Sequence, residues 1–462
     1  MSYQFEDVFE YNHITTTEIA RGGQGAVFRT QNPNIAIKVE LDPSGSEFSR
    51  DVKHNDRLDE IRLLPISKRI NITLPQATLK EYAGYVMTLL DDMESFEKAF
   101  DYSFDDVCDY SNEWLDQFRE TAPEFVEVIA QYLKSGGRRR RLEAYLRVAC
   151  MLSELHASGL VYCDFSAKNA FISNVEGNNT VWLIDADNLN YQEKTRGSGF
   201  FTPGYGAPEV IRGKGCTFYS DSYSFAISLF WQLTGTHPFK GASMESDFDD
   251  DFADDKEELA NSGEFPWIMD TEDTSNYIDA RIQQNLVISN RLIRCFDRAF
   301  CRLGKEKRQT RPTMFEWSEV IAKELDLSVK CKCCEMDYDS SNDKCPWCDT
   351  ETLKISLIAK KQGHIIWKYV RETGNGEAML IPRRIVRGFR NTETEDYAFT
   401  IIDNNDEISI EDLDEMFEWS VSTDKGNSYI DIYGRTVIPN ECTMKAIDKK
   451  SGETVVIEVR KI

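Results

Sequence analysis

Three kinds of reactive side chain stand out along the 462 residues: a lysine closing an apolar run, acidic and amide groups in two short segments, and two closely spaced cysteine pairs. Lys38 ends Ala36-Ile37-Lys38. A lysine at that place points a cation inward, where it needs an anionic partner. Nucleotide phosphates would serve, and so would a glutamate on the following helix. Glu60 is the first candidate, because it precedes Ile61, Leu63 and Leu64, and Glu47 is the reserve. Asp164 and Asn169 share one segment, Tyr162-Cys163-Asp164-Phe165-Ser166-Ala167-Lys168-Asn169. Asp164 can orient a hydroxyl nucleophile and accept its proton. Asn169 can offer an oxygen to Mg²⁺, a hard ion that prefers oxygen ligands. Asp185 follows the apolar run Val181-Trp182-Leu183-Ile184, which suits a metal bridging two phosphates. Taken singly, each is more often structural, since an aspartate in a loop is commonly a turn or cap residue.

The stretch Ala20-Arg21-Gly22-Gly23-Gln24-Gly25-Ala26-Val27 is a glycine turn between two strand-like runs. Such a turn lets backbone N–H groups approach phosphates closely, although many ordinary hairpins also carry glycines. Further along, Cys331-Lys332-Cys333-Cys334 and Cys345-Pro346-Trp347-Cys348 form two C-x-x-C knuckles. Two knuckles can set four thiolates tetrahedrally about Zn²⁺ in a closed structural site. Cys331, Cys334, Cys345 and Cys348 are the expected ligands and Cys333 the spare. The alternative, a redox dithiol, lacks a supporting βαβ pattern.

The elements that must position these groups follow from periodicity. Residues 14–19, 26–30 and 35–40 read as strands, residues 51–64 as a helix with Leu58, Ile61 and Leu64 on one face, and residues 73–79 and 84–90 as short apolar runs. From residue 91 to about 325 the pattern turns helical, notably at 142–156, 220–234, 291–300 and 314–325, with strand-like pieces at 170–173 and 181–184. Residues 92–140 read as additional helices. The acidic stretch 241–282 reads, in its first part, as a solvated surface loop. Beyond residue 353, alternating β-branched residues and Gly/Asn turns predict a small sandwich or barrel. That module has either a substrate- or partner-binding role or the part of an inert cap.

The bulk numbers narrow the classes. A formal net charge of −25 opposes broad nucleic-acid binding. Arg138-Arg139-Arg140-Arg141 breaks the trend and reads as a solvated helix start, or else as a docking patch for an acidic partner. No apolar run is long enough to cross a bilayer, and the polar, acidic first residues do not read as a signal peptide. Twelve cysteines, five of them clustered and the rest scattered, suit a reducing compartment, so a cytoplasmic location is expected.

In order along the chain, these pieces resemble the protein-kinase superfamily: a Gly-rich loop, a strand lysine, a helix glutamate, an Asp/Asn catalytic loop and a metal aspartate. Gly204-Tyr205-Gly206-Ala207-Pro208-Glu209 looks like the close of an activation segment, and Thr202-Pro203 resembles the serine/threonine type. Ser220-Asp221-Ser222-Tyr223-Ser224-Phe225 looks like the helix whose aspartate braces the catalytic loop. Thr234-Gly235-Thr236-His237-Pro238-Phe239 and Arg311-Pro312-Thr313 look like later landmarks. The resemblance implies an α+β bilobal kinase fold: a tail at 1–13, an N-lobe at 14–90, a C-lobe at 91–325, a zinc ribbon at 326–352 and a β-rich domain at 353–462. It implies an ATP-dependent serine/threonine protein kinase of an atypical, bacterial-like kind, with a protein substrate, Mg²⁺ and Zn²⁺, and it leaves a nucleotide-binding pseudokinase scaffold as the alternative. Ala20, Gly22, Gly23, Gly25, Val27, Ala36, Lys38 and Glu60 would line or order the nucleotide site. Met87 would be its gatekeeper rather than a plain core methionine, and Leu89 and Leu90 would offer backbone groups to adenine. Asp164 would be the catalytic carboxylate, Asn169 and Asp185 the Mg²⁺ ligands, and Arg311 would pair with Glu209.

Several residues depart from the family pattern. Tyr162-Cys163-Asp164 stands where most members have His-Arg-Asp, which removes the arginine that receives an activation-loop phosphate and predicts phosphorylation-independent activity, with Thr195, Ser198 and Thr202 as the hydroxyls to test. Ser166 replaces a lysine, and Lys168 is either its substitute or a surface lysine. Asp185 is followed by Ala186-Asp187, and Asp187 is either a second metal contact or a turn residue.

Overall fold

The alternation of the first ninety residues folds as a six-stranded antiparallel sheet. In chain order its strands are β1 (Gln4–Glu6), β2 (Asn12–Arg21), β3 (Gly25–Thr30), β4 (Ile35–Glu40), β5 (Ala77–Thr78) and β6 (Gly84–Thr88), and their spatial order is β1-β2-β3-β4-β6-β5. The computed structural model describes residues 2–22, 25–102, 109–195, 201–244, 253–374, 376–404, 407–424 and 426–462. Gly23, Gln24, Ser198 and the acidic run 247–251 therefore lie outside the described residues. The first residues are not a tail: Phe5 is buried, and Gln4, Phe5 and Glu6 pair with Ile14, His13 and Asn12.

The register decides which residues share a face, since directly opposed residues of an antiparallel pair point the same way. Val27 opposes Lys38 and Lys38 opposes Tyr85, while Ala36 opposes Met87. These side chains form one face. The alternate residues Ala26, Phe28, Ile37, Val39 and Val86 form the other and build a separate apolar cluster with Phe5, Ala77 and Leu79. Helix α1 (Lys53–Arg62) is shorter than its apolar pattern predicts. It is pinned by Asn55, whose side chain donates to the carbonyls of Leu79 (2.8 Å) and Tyr82 (2.9 Å) and accepts from the Gly84 N–H at 3.0 Å. The apolar run 73–79 yields only the two-residue β5.

The helical region is built on Gly137–Ala157, Phe218–Thr234, Asn290–Phe300 and Met314–Asp326. Phe218–Thr234 and Met314–Asp326 each start in a capping box, Thr217 with Ser220 and Thr313 with Glu316. Ala170–Ser173 and Val181–Leu183 pair antiparallel beneath the first sheet and deliver the segments that carry chemistry. Residues 92–140 supply Phe96–Ala99, Glu113–Asp116 and Pro123–Lys134. The acidic stretch is not all surface: Trp267, Ile268, Asn276 and Ile282 are buried.

The arginine run is neither solvated nor a docking patch. Arg138 is 2% exposed and Arg141 is fully buried. Arg138 donates to Val287 O at 2.8 Å and pairs with Glu324, and Arg139 pairs with Asp337 at 3.0 Å. Arg141 donates to Gln232 O at 2.8 Å and lies 4.4 Å from the Tyr132 ring centre. Buried guanidinium groups need such partners, because an unpaired buried charge is strongly destabilising. The fourth, Arg140, donates to Ser173 O at 3.0 Å.

After Met314–Asp326, a short hairpin of Ser328–Lys330 and Asp337–Asp339 carries the cysteine cluster. The remaining chain forms two antiparallel sheets. The six-stranded one runs His364–Glu372, Lys354–Lys361, Thr454–Lys461, Glu441–Asp448, Phe417–Ser422 and Ile430–Ile432. The four-stranded one runs Ala378–Pro382, Tyr397–Asp403, Ile408–Glu411 and Thr436–Ile438. Alternate residues such as Ile355, Leu357 and Ala359 are buried, and Phe399 meets Trp419 edge-on at 5.3 Å to join the sheets. One apolar core runs without a break from Ile61 through the helices to Val459.

Candidate functional site

Lys38 leaves the cleft-facing side of β4 and meets two carboxylates: Asp185 Oδ1 at 2.7 Å and Asp187 Oδ2 at 2.6 Å. Burial alone would lower the lysine pKa, but the charges of Asp187 and Asp185 outweigh it and hold the ammonium above its usual range. Asp185 follows Val181–Leu183 and takes φ 54°, a left-handed backbone uncommon for a non-glycine residue. That turn is what swings both carboxylates back toward Lys38. The segment continues as a short 3-10 turn, Ala186–Asn188, and Asp187 Oδ1 accepts the Tyr85 hydroxyl at 2.6 Å.

The second segment is held from below. Asp221, on Phe218–Thr234, accepts the backbone N–H groups of Tyr162 (2.8 Å) and Cys163 (2.9 Å) and also contacts His156 Nε2 at 2.9 Å. Cys163 has φ 75° and is buried, so the position holds no exposed cation. Asp164 follows. Its Oδ1 accepts the Thr202 hydroxyl at 2.8 Å. Burial raises its pKa above the ordinary carboxylate value, and the Thr202 bond works against that rise. Asn169 donates Nδ2–H to Asp164 O at 2.9 Å, which leaves its amide oxygen for a cation. Asp185 likewise engages Lys38 through Oδ1, leaving Oδ2. Hard oxygen donors beside an ammonium are a set that fits Mg²⁺ and phosphate.

The described residues that flank 196–200 are held by buried hydrogen bonds. Thr195 is buried and donates to Cys216 O at 2.6 Å. Burial pushes the His237 pKa down to about 4, so its neutral ring donates from Nε2 to Gly204 O at 2.8 Å. Glu209 and Arg311 form a buried two-pronged pair, both bonds 2.8 Å.

Among the expected nucleotide residues, Val27, Ala36, Lys38 and Met87 share the cleft face. Gly22 N–H donates to Gly25 O at 2.9 Å and closes the turn below Ala20, and a Cβ on Gly25 would lie 2.8 Å from Val39 O, so that strand crossing needs glycine. Three residues do not behave as expected. Glu60 is 61% exposed and pairs with Arg57 at 3.2 Å and Lys194 at 3.9 Å, not with Lys38, because α1 turns that side outward. Leu89 gives its N–H to Asn34 O at 2.9 Å, so only its carbonyl remains for a base. Lys168 is 58% exposed and pairs with Glu97 at 3.6 Å. Sequence reasoning missed Tyr85, although its place two residues before Met87 in one strand puts both on the same face.

At the cysteine cluster, the Sγ atoms of Cys331, Cys334, Cys345 and Cys348 all lie within 4.8 Å of one another. Cys331 and Cys348 are 3.5 Å apart, and Cys334 and Cys345 are 3.6 Å apart. Four thiolates about 2.3 Å from a tetrahedral Zn²⁺ would be separated by about 3.8 Å. The two knuckles are built alike. Glu335 and Asp349, each just after its second cysteine, take φ 61° and 60°. Each donates its N–H back to the first cysteine's carbonyl, at 3.1 and 2.8 Å. The donor set and its spacing fit zinc, while Cys333 is exposed and outside the cluster.

With this geometry in hand, comparison with known proteins is informative. A protein kinase domain model matches residues 125–317. The chain is 30% identical over 142 residues, 27% of its length, to a probable serine/threonine-protein kinase 2 of Plasmodium falciparum, and 31% identical over 103 residues, 22% of its length, to human protein kinase C delta type. These matches span only 27% and 15% of the relatives' own length.

Proposed function

From the premise that this chain belongs to the protein kinase superfamily, we propose that it transfers the γ-phosphate of Mg-ATP to serine or threonine hydroxyls of protein substrates. The observation that carries the reading is the convergence of Lys38, Asp185, Asn169 and Asp164 from three separate segments, with Lys38 Nζ 2.7 Å from Asp185. Bound Mg-ATP would supply the transferable phosphoryl group and the charge neutralisation it needs. Lys38 would hold the phosphates, and Asp185 and Asn169 would hold Mg²⁺. Asp164 would accept a hydrogen bond from the acceptor hydroxyl and receive its proton. The hydrogen bond from Thr202 to Asp164 sets the carboxylate's orientation and supports the serine/threonine reading. Activity independent of loop phosphorylation is favoured by the buried Thr195 and by Cys163 in place of a phosphate-binding arginine.

The test is incubation with labelled Mg-ATP and mixed cell protein. Wild type should label serine and threonine, and Asp164→Ala should lose about 10²–10⁴-fold of the rate. Equal labelling by both proteins, or none by either, overturns the reading. The cysteine cluster is proposed as a structural Zn²⁺ site that joins the kinase helices to the C-terminal sheets. One equivalent of zinc in the purified protein, lost in Cys345→Ser, is the expected result.

A further inference from the structure

We propose that Asp187 is the positioning residue of Lys38, taking the part that the family gives to a glutamate on the N-lobe helix. This rests on the kinase reading for its consequence, though not for its geometry. Both oxygens of Asp187 are engaged: Oδ2 with Lys38 Nζ at 2.6 Å and Oδ1 with the Tyr85 hydroxyl at 2.6 Å. Tyr85 opposes Lys38 across β4 and β6, so the tyrosine and the ammonium descend from one sheet face onto one carboxylate. Tyr85 is buried and Lys38 is 14% exposed at its side chain, so neither has bulk water as a substitute partner. A charge-assisted pair in such surroundings is both stronger and more directional than a surface pair.

Glu60 cannot do this work, since its carboxylate lies with Arg57 and Lys194 on the solvent side of α1. What α1 does offer the site is Arg57, which donates to Leu189 O just beyond the 3-10 turn. A second reading, in which Asp187 is a metal ligand, is disfavoured because its two oxygens are already committed while Asp185 retains Oδ2. The consequence concerns regulation. In this chain the lysine anchor and the metal aspartate sit two residues apart on one turn, so a displacement of α1 does not by itself break the Lys38 pair. The on/off device that depends on a moving helix glutamate is thereby absent from this pair.

The experiment reads Lys38 directly. Full-length protein is treated with an amine-reactive acylating ester, and modification of Lys38 is followed by peptide mass spectrometry. Asp187→Asn removes one of the two carboxylate bonds that hold the Lys38 amine, so it should raise the Lys38 rate several-fold. Asp187→Glu should restore part of the protection, and Tyr85→Phe should give a smaller rise. Glu60→Gln should leave the rate as in wild type. Affinity for a fluorescent ATP analogue is measured in parallel, in Mg²⁺ and in EDTA. Asp187→Asn should weaken it in both, and its effect should be largely absent in a Lys38→Ala background. Unchanged acylation in Asp187→Asn, an equal rise in Glu60→Gln, or a loss of affinity confined to Mg²⁺ overturns the proposal. If wild type transfers no phosphate while the acylation pattern holds, the kinase reading fails and the Asp187 assignment stands.

Discussion

Asp164 shows most clearly what burial of a single carboxylate costs the fold. Its folded carboxyl has a pKa raised by burial above the unfolded value. The folded state thus holds that proton more tightly than the unfolded one. Above the folded pKa the ionised carboxylate costs stability, and the cost disappears as pH falls below the unfolded pKa. Asp164→Asn keeps an oxygen for the Thr202 hydroxyl and removes the desolvated charge. Its melting temperature should exceed that of wild type by about 1–3 °C at pH 7–8. The gain should shrink toward zero near pH 4, as read by thermal denaturation across pH. A lower melting temperature at pH 7–8 would mean that the carboxylate is better satisfied by the fold than its burial implies.

Elements in this chain are joined by charged side chains that bridge from one to the next. The helix Gly137–Ala157 begins against the cysteine hairpin, where Arg139 meets Asp337, and Arg291 pairs with Asp339 from the other side. The hairpin has only three residues in each strand, too few to hold that geometry alone. The proposed Zn²⁺ would supply the crosslink that its two knuckles need. A strong chelator should remove zinc and lower the melting temperature by about 5 °C or more. Readdition of Zn²⁺, but not Mg²⁺, should reverse the change, since thiolates are poor ligands for Mg²⁺. Unaltered melting in the metal-free protein would reduce the cluster to a set of packed thiols.

Across the whole molecule, the helical region and the C-terminal sheets share a core, so the tail is bound into the structure rather than tethered. The junction is Asp326, buried at the end of Met314–Asp326. It receives Arg384 through two bonds of 2.6 Å and the Trp367 indole N–H at 2.7 Å. Removing one partner of a buried pair leaves the other charge uncompensated, at a cost of about 3–5 kcal/mol. Asp326→Ala should lower the denaturation midpoint accordingly and split a single unfolding transition into two. One transition at the wild-type midpoint would count against a shared core. No helix among the described residues is long and apolar enough to cross a membrane.

Much of the site was legible in the linear order of residues. Lys38, Asp164, Asn169 and Asp185 were readable because each sits at a fixed place relative to a strand end or loop, and local periodicity places strand ends. Glu209 with Arg311, and Asp221 under the catalytic loop, followed from the family resemblance, and the bonds are there. The two cysteine knuckles were readable because their ligands are local pairs. The partner that each charge takes was set by the folded chain alone. Periodicity leaves the orientation of a short, mostly polar helix weakly determined, and Asn55 in α1 sets it so that Glu60 faces water. Asp187 gained Lys38 through a left-handed turn at Asp185 that a non-glycine residue does not announce. Arg138 and Arg139 read as solvated because their acidic partners, Glu324 and Asp337, lie 186 and 198 residues away in the chain. Pairing of buried charges is a long-range choice, made by the elements that close around them and invisible to any local window of sequence.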